Sequence, residues 1–175
     1  MKNNSSKLFK MLLKILSLPV ILGEYFDSRT GKEYNVGFLK KVRLMLKMIK
    51  NNKKIVSASN YIEHVVMAAR ILKIPKNVEG CIIECGSYKG GSTANLSLVC
   101  SLCNRRLEIF DSFRGLPEIS LDDKDHTCVG SQEIHTYSKG DWIGTLNEVK
   151  KNISKYYWLS GLCFLLPFCF PGQCG

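Results

Sequence analysis

The chain has 175 residues, of which 45% are hydrophobic and 23% are charged, and its formal net charge is +10 at pH 7. This length suffices for one domain with a sizeable core, and the hydrophobic fraction excludes a chain that is disordered throughout. The excess of positive charge favours solubility and nonspecific attraction to anionic polymers, but it does not determine the fold.

The first 76 residues are predicted to form a helical region. Residues 7–22 join early lysines to an apolar stretch, but Lys14 and Pro19 interrupt it and no small-residue cleavage motif follows Gly23. A signal peptide is therefore disfavoured, and membrane binding is not expected. The segment is interpreted as an amphipathic helix that packs on the domain or contributes to a homo-oligomer, with membrane-surface binding as the alternative.

A second basic helix is predicted from Phe38 to Lys54, and a third from Tyr61 to Leu72. Leucines and methionines alternate with cations in the second, so apolar and charged faces can separate. We expect a solvated lysine-rich face that includes Lys40, Lys41 and Lys47. No ladder of aromatic residues accompanies these charges, so specific nucleic-acid binding is not predicted.

Residues 81–93 read as an apolar strand, a glycine-rich turn and the start of a helix, with Glu84 at the strand end. This arrangement is where α/β proteins hold nucleotide-like cofactors. A dinucleotide motif requires a second glycine where this chain has Tyr88, and a phosphate loop requires lysine where it has Ser92. Both NAD and a nucleoside triphosphate are therefore disfavoured.

A short buried strand is predicted at Arg106–Asp111, and it ends in an acid. In an open α/β sheet, an acid at the end of the second strand can accept hydrogen bonds from ribose hydroxyls that lie across the first loop. The two features together indicate an adenosine-containing cofactor without a pyrophosphate or triphosphate. S-adenosylmethionine meets that description.

Two linked motifs, Val78 to Ser92 and Ile109 to Pro117, closely resemble the macrocin O-methyltransferase (TylF/MycF-like) family of class I methyltransferases. The resemblance extends over roughly residues 60–156. It implies an α/β Rossmann-like fold and a transferase that moves a methyl group from S-adenosylmethionine to a hydroxyl of a sugar or other small molecule.

The resemblance also implies roles for individual residues. The loop around the methionine part of the cofactor would comprise Glu84, Gly86, Ser87, Tyr88, Gly90, Gly91 and Ser92, with Asp111 on the ribose and Ser112 and Phe113 bordering the adenosine. Members of the family typically use Mg²⁺, held by aspartates from later strands. The matching aspartates are missing from this chain, so no metal ligand is assigned.

Methyl transfer to a hydroxyl needs a general base or a metal near the reacting oxygen. His135 is the preferred base because it approaches the next predicted helix, and His126 lies in the same polar segment. His64 is interpreted as structural. The acidic group at Asp122, Asp123 and Asp125 lacks a glycine-turned calcium-loop pattern and is not predicted to bind metal.

Of the eight cysteines, only Cys100 and Cys103 have ligand-like spacing, and no second pair matches them. A zinc site is therefore disfavoured. Cys81 and Cys85 are expected at buried strand positions, where cysteine acts as a small apolar side chain. The pattern favours a reducing, cytoplasmic compartment.

Beyond the second strand, an amphipathic helix is predicted from Gly140 to Lys155 and an apolar segment without charge from Tyr156 to Phe170. We divide the chain into a helical region (1–76), a partial S-adenosylmethionine-binding domain (77–157) and an aberrant apolar tail (158–175). At roughly 30 residues per βαβ unit, only about three strands fit, so the sheet is expected to be incomplete.

Two alternatives to an active methyltransferase remain open. One is a catalytically inactive, truncated remnant that keeps the cofactor loop. The other is a basic protein that binds membrane surfaces or nucleic acid.

Overall fold

A computed structural model describes residues 16–119, 128–129, 132–133, 137–156 and 163–167. These residues form helices and strands, with a short 3-10 turn at Lys32–Tyr34. The helices are α1 (16–26), α2 (Phe38–Asn52), α3 (Tyr61–Leu72), α4 (Gly91–Cys103) and α5 (Leu146–Tyr156). The strands are β1 (Ile82–Cys85), β2 (Leu107–Asp111), β3 (Cys128–Val129), β4 (Gln132–Glu133) and β5 (Cys163–Pro167).

A small parallel sheet has the strand order β1-β2-β5. Ile82 lies opposite Leu107 in the first pair, and Asp111 lies opposite Pro167 in the second. Helix α4 connects β1 to β2, because parallel neighbours need a crossover. The carboxyl ends of the strands therefore share one edge of the sheet, where the residues that follow β1 meet those that follow β2. This mixture of helices and parallel strands is compatible with the expected α/β class.

Strand β5 lies in the segment interpreted from the sequence as an apolar tail, where no strand is predicted. A short apolar run without alternation is consistent with a buried strand, but periodicity alone cannot distinguish it from other apolar segments. Strands β3 and β4 form a separate antiparallel pair.

Helix α3 has the bounds that its sequence predicts, because its first residue is preceded by a complete capping box. The Asn60 side chain accepts from the backbone N–H groups of Ile62 and Glu63, and Glu63 accepts from the Asn60 N–H in return. Such a pairing satisfies donors that the first turn of a helix leaves free.

The main core lies where α2, α3 and α4 meet one face of the sheet. It joins apolar side chains from both sides of residue 76, including Met48, Val65, Ala68, Val99 and Ile109. The predicted apolar face of α2 is confirmed in part, since Leu44 and Met48 are buried whereas Leu39 and Leu46 are exposed. Among the described residues, no helix is long and apolar enough to cross a membrane.

Lys41 differs from its prediction as part of the solvated face of α2. It is only 2% exposed, and its ammonium donates to the Asp27 carbonyl at 2.7 Å. The Tyr25 hydroxyl in turn donates to the Lys41 carbonyl at 3.0 Å. The segment after α1 therefore supplies the acceptor that allows the Lys41 ammonium to be buried. The spacing of residues within α2 does not predict this contact.

Cys81 and Cys85 also differ from their predicted burial. Cys81 is half-buried and Cys85 is exposed, together with Ile83. Successive strand residues face opposite sides of a sheet. In β1 the buried position is Glu84, and the face that carries Ile83 and Cys85 is open to solvent. Cys100 and Cys103 are buried on α4.

The last described helix begins at Leu146, six residues later than the predicted start at Gly140. Backbone hydrogen bonds join Gly140 and Asp141 to Leu116, and Trp142 has φ of 59°. A residue with left-handed backbone angles cannot continue a right-handed α-helix. The Glu148 N–H bonds to the Thr145 hydroxyl at 3.2 Å and caps the new start.

Candidate functional site

The glycine loop, residues 86–90, leaves β1 and enters α4. Gly86 and Gly90 have φ of 85° and 84°, and Tyr88 between them has φ of 48°. Backbone hydrogen bonds hold the two ends of the loop. The Gly86 N–H donates to the Phe110 carbonyl and the Gly90 N–H donates to the Ser87 carbonyl, each at 2.8 Å. A bulky side chain in the left-handed region is uncommon and clusters at functional sites.

Asp111 holds the glycine loop from the end of β2. Its Oδ2 accepts from the N–H of Ser87 at 2.6 Å, the Ser87 hydroxyl at 3.0 Å and the N–H of Tyr88 at 3.2 Å. Its Oδ1 accepts one bond, from the N–H of Phe113 at 2.7 Å. A carboxylate has about four acceptor positions, two on each oxygen. Oδ1 therefore retains capacity for one further donor.

Two clefts open beside this loop. The first, here the Asp111 cleft, has a volume of about 550 Å³ and is lined by Asp111, Ser112, Leu116, Pro117 and Trp142. The rings of Tyr88 and Trp142 meet edge to face, with centroids 5.4 Å apart. This cleft combines one carboxylate with mainly apolar and aromatic walls, and its volume lies in the usual range for small-molecule sites.

The second cleft, here the Glu84 cleft, has a volume of about 560 Å³. It is lined by Glu84, Ser92, Ser57, Ser59 and Arg70 together with apolar residues of α3. Cys85, Gly86 and Tyr88 line both clefts. The two clefts therefore adjoin at the glycine loop.

Glu84 has an incompletely paired carboxylate. Its side chain is 8% exposed, and Oε1 accepts from the Ser92 hydroxyl at 2.5 Å. Oε2 has no hydrogen-bond partner among the described residues. Burial raises the pKa of Glu84 above its usual range, and the side chains of Ser92 and Thr93 oppose that shift. The buried Thr93 hydroxyl therefore lies near the carboxylate, although it forms no hydrogen bond of normal geometry. A buried acceptor without a partner is costly, so Glu84 is suited to a ligand that donates hydrogen bonds or carries positive charge.

Helix α5 supports the far side of the glycine loop. Asn152 donates to the Lys89 carbonyl at 2.9 Å, and Glu148 pairs with the Lys89 ammonium at 3.3 Å. A Cβ on Gly90 would lie 3.3 Å from Val149, and one on Gly144 would overlap the Tyr88 carbonyl. The loop is thus enclosed on this side, and the backbone of residue 144 approaches that of Tyr88 so closely that only glycine fits there.

Most of the residues predicted from the sequence come together here, but their roles differ. Glu84, Gly86, Ser87, Tyr88 and Ser92 line the Glu84 cleft, while Asp111 and Ser112 line the Asp111 cleft. Gly90, Gly91 and Phe113 line neither cleft. A Cβ on Gly91 would lie 2.5 Å from the Ser57 Cβ, so this glycine permits the start of α4 to pack against the loop between α2 and α3.

The predicted base His135 lies outside the described residues, as do His126, Asp122, Asp123 and Asp125, so these predictions remain predictions. Within the described ranges, no group of three or more histidine, cysteine or acidic side chains is arranged to hold a metal ion. His64 is fully buried and bonded at both ring nitrogens.

The sequence does not indicate Trp142, Ser57 or Ser59 as cleft residues. Trp142 falls within the predicted helix Gly140–Lys155, and the two serines lie in the loop between α2 and α3. Each reaches its cleft through contacts distant in sequence, so local spacing holds no signal for them. The Gly90-Gly91 pair is the one signal in the sequence that other segments pack closely against the loop.

Comparison of the sequence with models of protein families and with curated proteins finds no match.

Proposed function

We propose that this chain binds S-adenosylmethionine along the glycine loop and is an O-methyltransferase with a Rossmann-like sheet, similar to the macrocin O-methyltransferase family. The observation that carries the proposal is the buried carboxylate of Glu84, whose Oε2 has no hydrogen-bond partner among the described residues and whose cleft shares Cys85, Gly86 and Tyr88 with that of Asp111. A cationic or hydrogen-bond-donating group fits at Glu84, and a nucleoside fits at Asp111.

The adenosine part of the cofactor suits the Asp111 cleft. Asp111 Oδ1 can accept one more hydrogen bond, which a ribose hydroxyl would supply. Leu116, Pro117 and the half-exposed Trp142 offer an apolar surface for the base. Stacking of a base on an aromatic ring contributes about 1–3 kcal/mol.

The methionine part suits the Glu84 cleft. Its ammonium group would pair with the carboxylate of Glu84, which lines this cleft. An adjacent positive charge favours the ionised carboxylate, so binding would lower the raised pKa of Glu84. The residues present therefore fit this cofactor, whereas the described part of the chain offers no comparable set of ligands for Mg²⁺.

When bound, S-adenosylmethionine supplies an electrophilic methyl group on a positively charged sulfur. The glycine loop would fix the cofactor's position, and the adjoining clefts would hold a small hydroxyl-bearing acceptor near it. Orientation of two reactants in this way is a major source of rate enhancement. The acceptor must also lose its proton to a base, and His135 remains our predicted base.

Calorimetric titration with S-adenosylmethionine and S-adenosylhomocysteine tests this proposal. We expect one site on the wild-type chain and at least about tenfold weaker binding after Asp111→Ala, because one ribose contact and the anchor of the loop are lost. Asp27→Ala is the control, since Asp27 pairs with Arg29 outside both clefts.

A cooperatively folded wild-type chain that binds neither ligand would overturn the proposal. Trp142→Ala gives a second test that leaves the loop anchor intact, and it should also weaken binding. Cofactor binding without methyl transfer to any sugar or small-molecule hydroxyl would instead support the inactive remnant.

A further inference from the structure

A chain of polar side chains runs through the core to the Glu84 cleft. His64 and Asn95 are fully buried, and Asn51 is 2% exposed. Asn51 donates to Asn95 Oδ1 at 2.7 Å, and Asn95 Nδ2 lies 2.6 Å from His64 Nδ1. His64 Nε2 lies 2.6 Å from the hydroxyl of Ser59, which lines the cleft.

The direction of these hydrogen bonds follows from one backbone carbonyl. The Ser59 carbonyl can only accept, and Asn52 Nδ2 donates to it at 3.1 Å. Asn52 Oδ1 consequently points the other way, where it accepts from Asn95 Nδ2 at 2.9 Å. Asn95 Oδ1 already accepts from Asn51. The amide orientations of Asn52 and Asn95 are thus mutually consistent.

This arrangement selects one tautomer of His64. The second hydrogen of Asn95 Nδ2 is directed to His64 Nδ1, which must accept it. A proton on Nδ1 would satisfy Asn52 Oδ1 at 3.1 Å but would set two donors 2.6 Å apart. The ring proton therefore resides on Nε2 and is donated to the Ser59 hydroxyl.

The Ser59 oxygen is then occupied as an acceptor, and its own hydrogen remains available. Ser57 Oγ is 3.3 Å away, and the cleft is the other direction open to it. Burial lowers the pKa of His64, so the neutral ring persists at neutral pH. The core bonds thus leave the Ser59 hydrogen available either to Ser57 or to a ligand in the cleft.

We propose that Ser59, oriented by His64, recognises the carboxylate of the amino-acid headgroup of the cofactor. This inference rests on the proposed function. Glu84 would bind the ammonium of that headgroup. Ser59, which lines the same cleft, would bind its carboxylate. Ser59 is then a binding residue, while His64 and Asn95 are positioning residues that act through it.

The test compares two ligands on the same variants. S-adenosylhomocysteine carries the headgroup, whereas 5′-methylthioadenosine has the nucleoside and the sulfur but no headgroup. For Ser59→Ala we expect about tenfold weaker binding of S-adenosylhomocysteine and less than about twofold change for 5′-methylthioadenosine, because one hydrogen bond to a charged group is lost. Ser101→Ala on the exposed side of α4 is the control and should change neither.

His64→Gln keeps a donor near the position of Nε2, so it should lose less selectivity between the two ligands than His64→Ala. The ratio of the two affinities reports on the headgroup alone, which a general loss of folding would not change. If Ser59→Ala fails to fold, the two His64 variants decide the question by that ratio.

Equal weakening of both ligands, or no weakening of either, would overturn this inference and leave the proposed cofactor site intact. Failure of the wild-type chain to bind either ligand would overturn the proposed function as well.

Discussion

At Glu84, the buried charge that lowers the stability of the unliganded chain is the same charge that we propose binds S-adenosylmethionine. Its carboxylate is 8% exposed, and one of its oxygens has no partner among the described residues. Burial raises its pKa, which means that the ionised form is unfavourable in the folded chain without ligand. A folded-state pKa above the unfolded value gives a contribution to stability that is present at low pH and is lost as pH rises through the folded pKa.

Replacement of Glu84 by glutamine should therefore stabilise the unliganded protein at pH 7, by about 1–3 kcal/mol, because a neutral amide avoids the cost of a buried charge. The gain should shrink as pH falls below the folded pKa of Glu84, where the wild-type carboxyl is also neutral. Urea denaturation at several pH values measures this effect. Glu79→Gln, at an exposed position, is the control.

The same variant should bind S-adenosylmethionine more weakly, since the amide cannot balance a positive charge. A Glu84→Gln chain with lower stability at pH 7, or with unchanged affinity for the cofactor, would contradict this account of the site.

At the scale of elements, Arg105 ties the start of β2 to the N-terminal region. Its side chain is buried and donates to the Tyr34 hydroxyl at 2.9 and 3.1 Å, the Pro75 carbonyl at 2.7 Å and the Val78 carbonyl at 2.9 Å. The Arg105 guanidinium therefore joins three segments: the 3-10 turn, the segment before β1 and the start of β2. The fixed fork of a guanidinium can reach all of these acceptors, and an ammonium cannot.

Arg105→Lys should lower the free energy of unfolding by about 2–3 kcal/mol, because buried acceptors lose their donors. The neighbouring Arg106→Lys is a matched control. Arg106 forms an exposed ion pair with Glu108 at 2.7 Å, and its replacement should cost less than about 0.5 kcal/mol. Thermal or urea unfolding compares the two variants, and equal losses would show that Arg105 does not act as a tie.

At the scale of the whole molecule, the sequence predicted the parts whose signals are local. The β1 strand, the glycine loop, α4 and β2 follow from an apolar run, turn residues and a second apolar run within about 30 residues. Helix α3 has the predicted ends, and the capping box of Asn60 and Glu63 accounts for the first of them. The apolar face of α2 followed from helical spacing.

The parts that were missed depend on contacts between distant segments. Lys41 is buried because the Asp27 carbonyl lies beside it, and Trp142 reaches its cleft through the pairing of residues 140–141 with Leu116. The direction of the His64 bonds depends on amides from two other helices. β5 carries no periodicity, so its pairing with β2 could be found only in the folded chain.

The central claim is that the glycine loop and the end of β2 together hold S-adenosylmethionine. Hydrogen exchange of the wild-type chain, with and without saturating S-adenosylhomocysteine, tests it most directly because exchange locates the ligand along the sequence. We expect slower exchange at residues 84–92 and 110–113, with residues 38–52 of α2 changed much less. Unchanged exchange at both segments, or protection confined to another part of the molecule, would contradict the account.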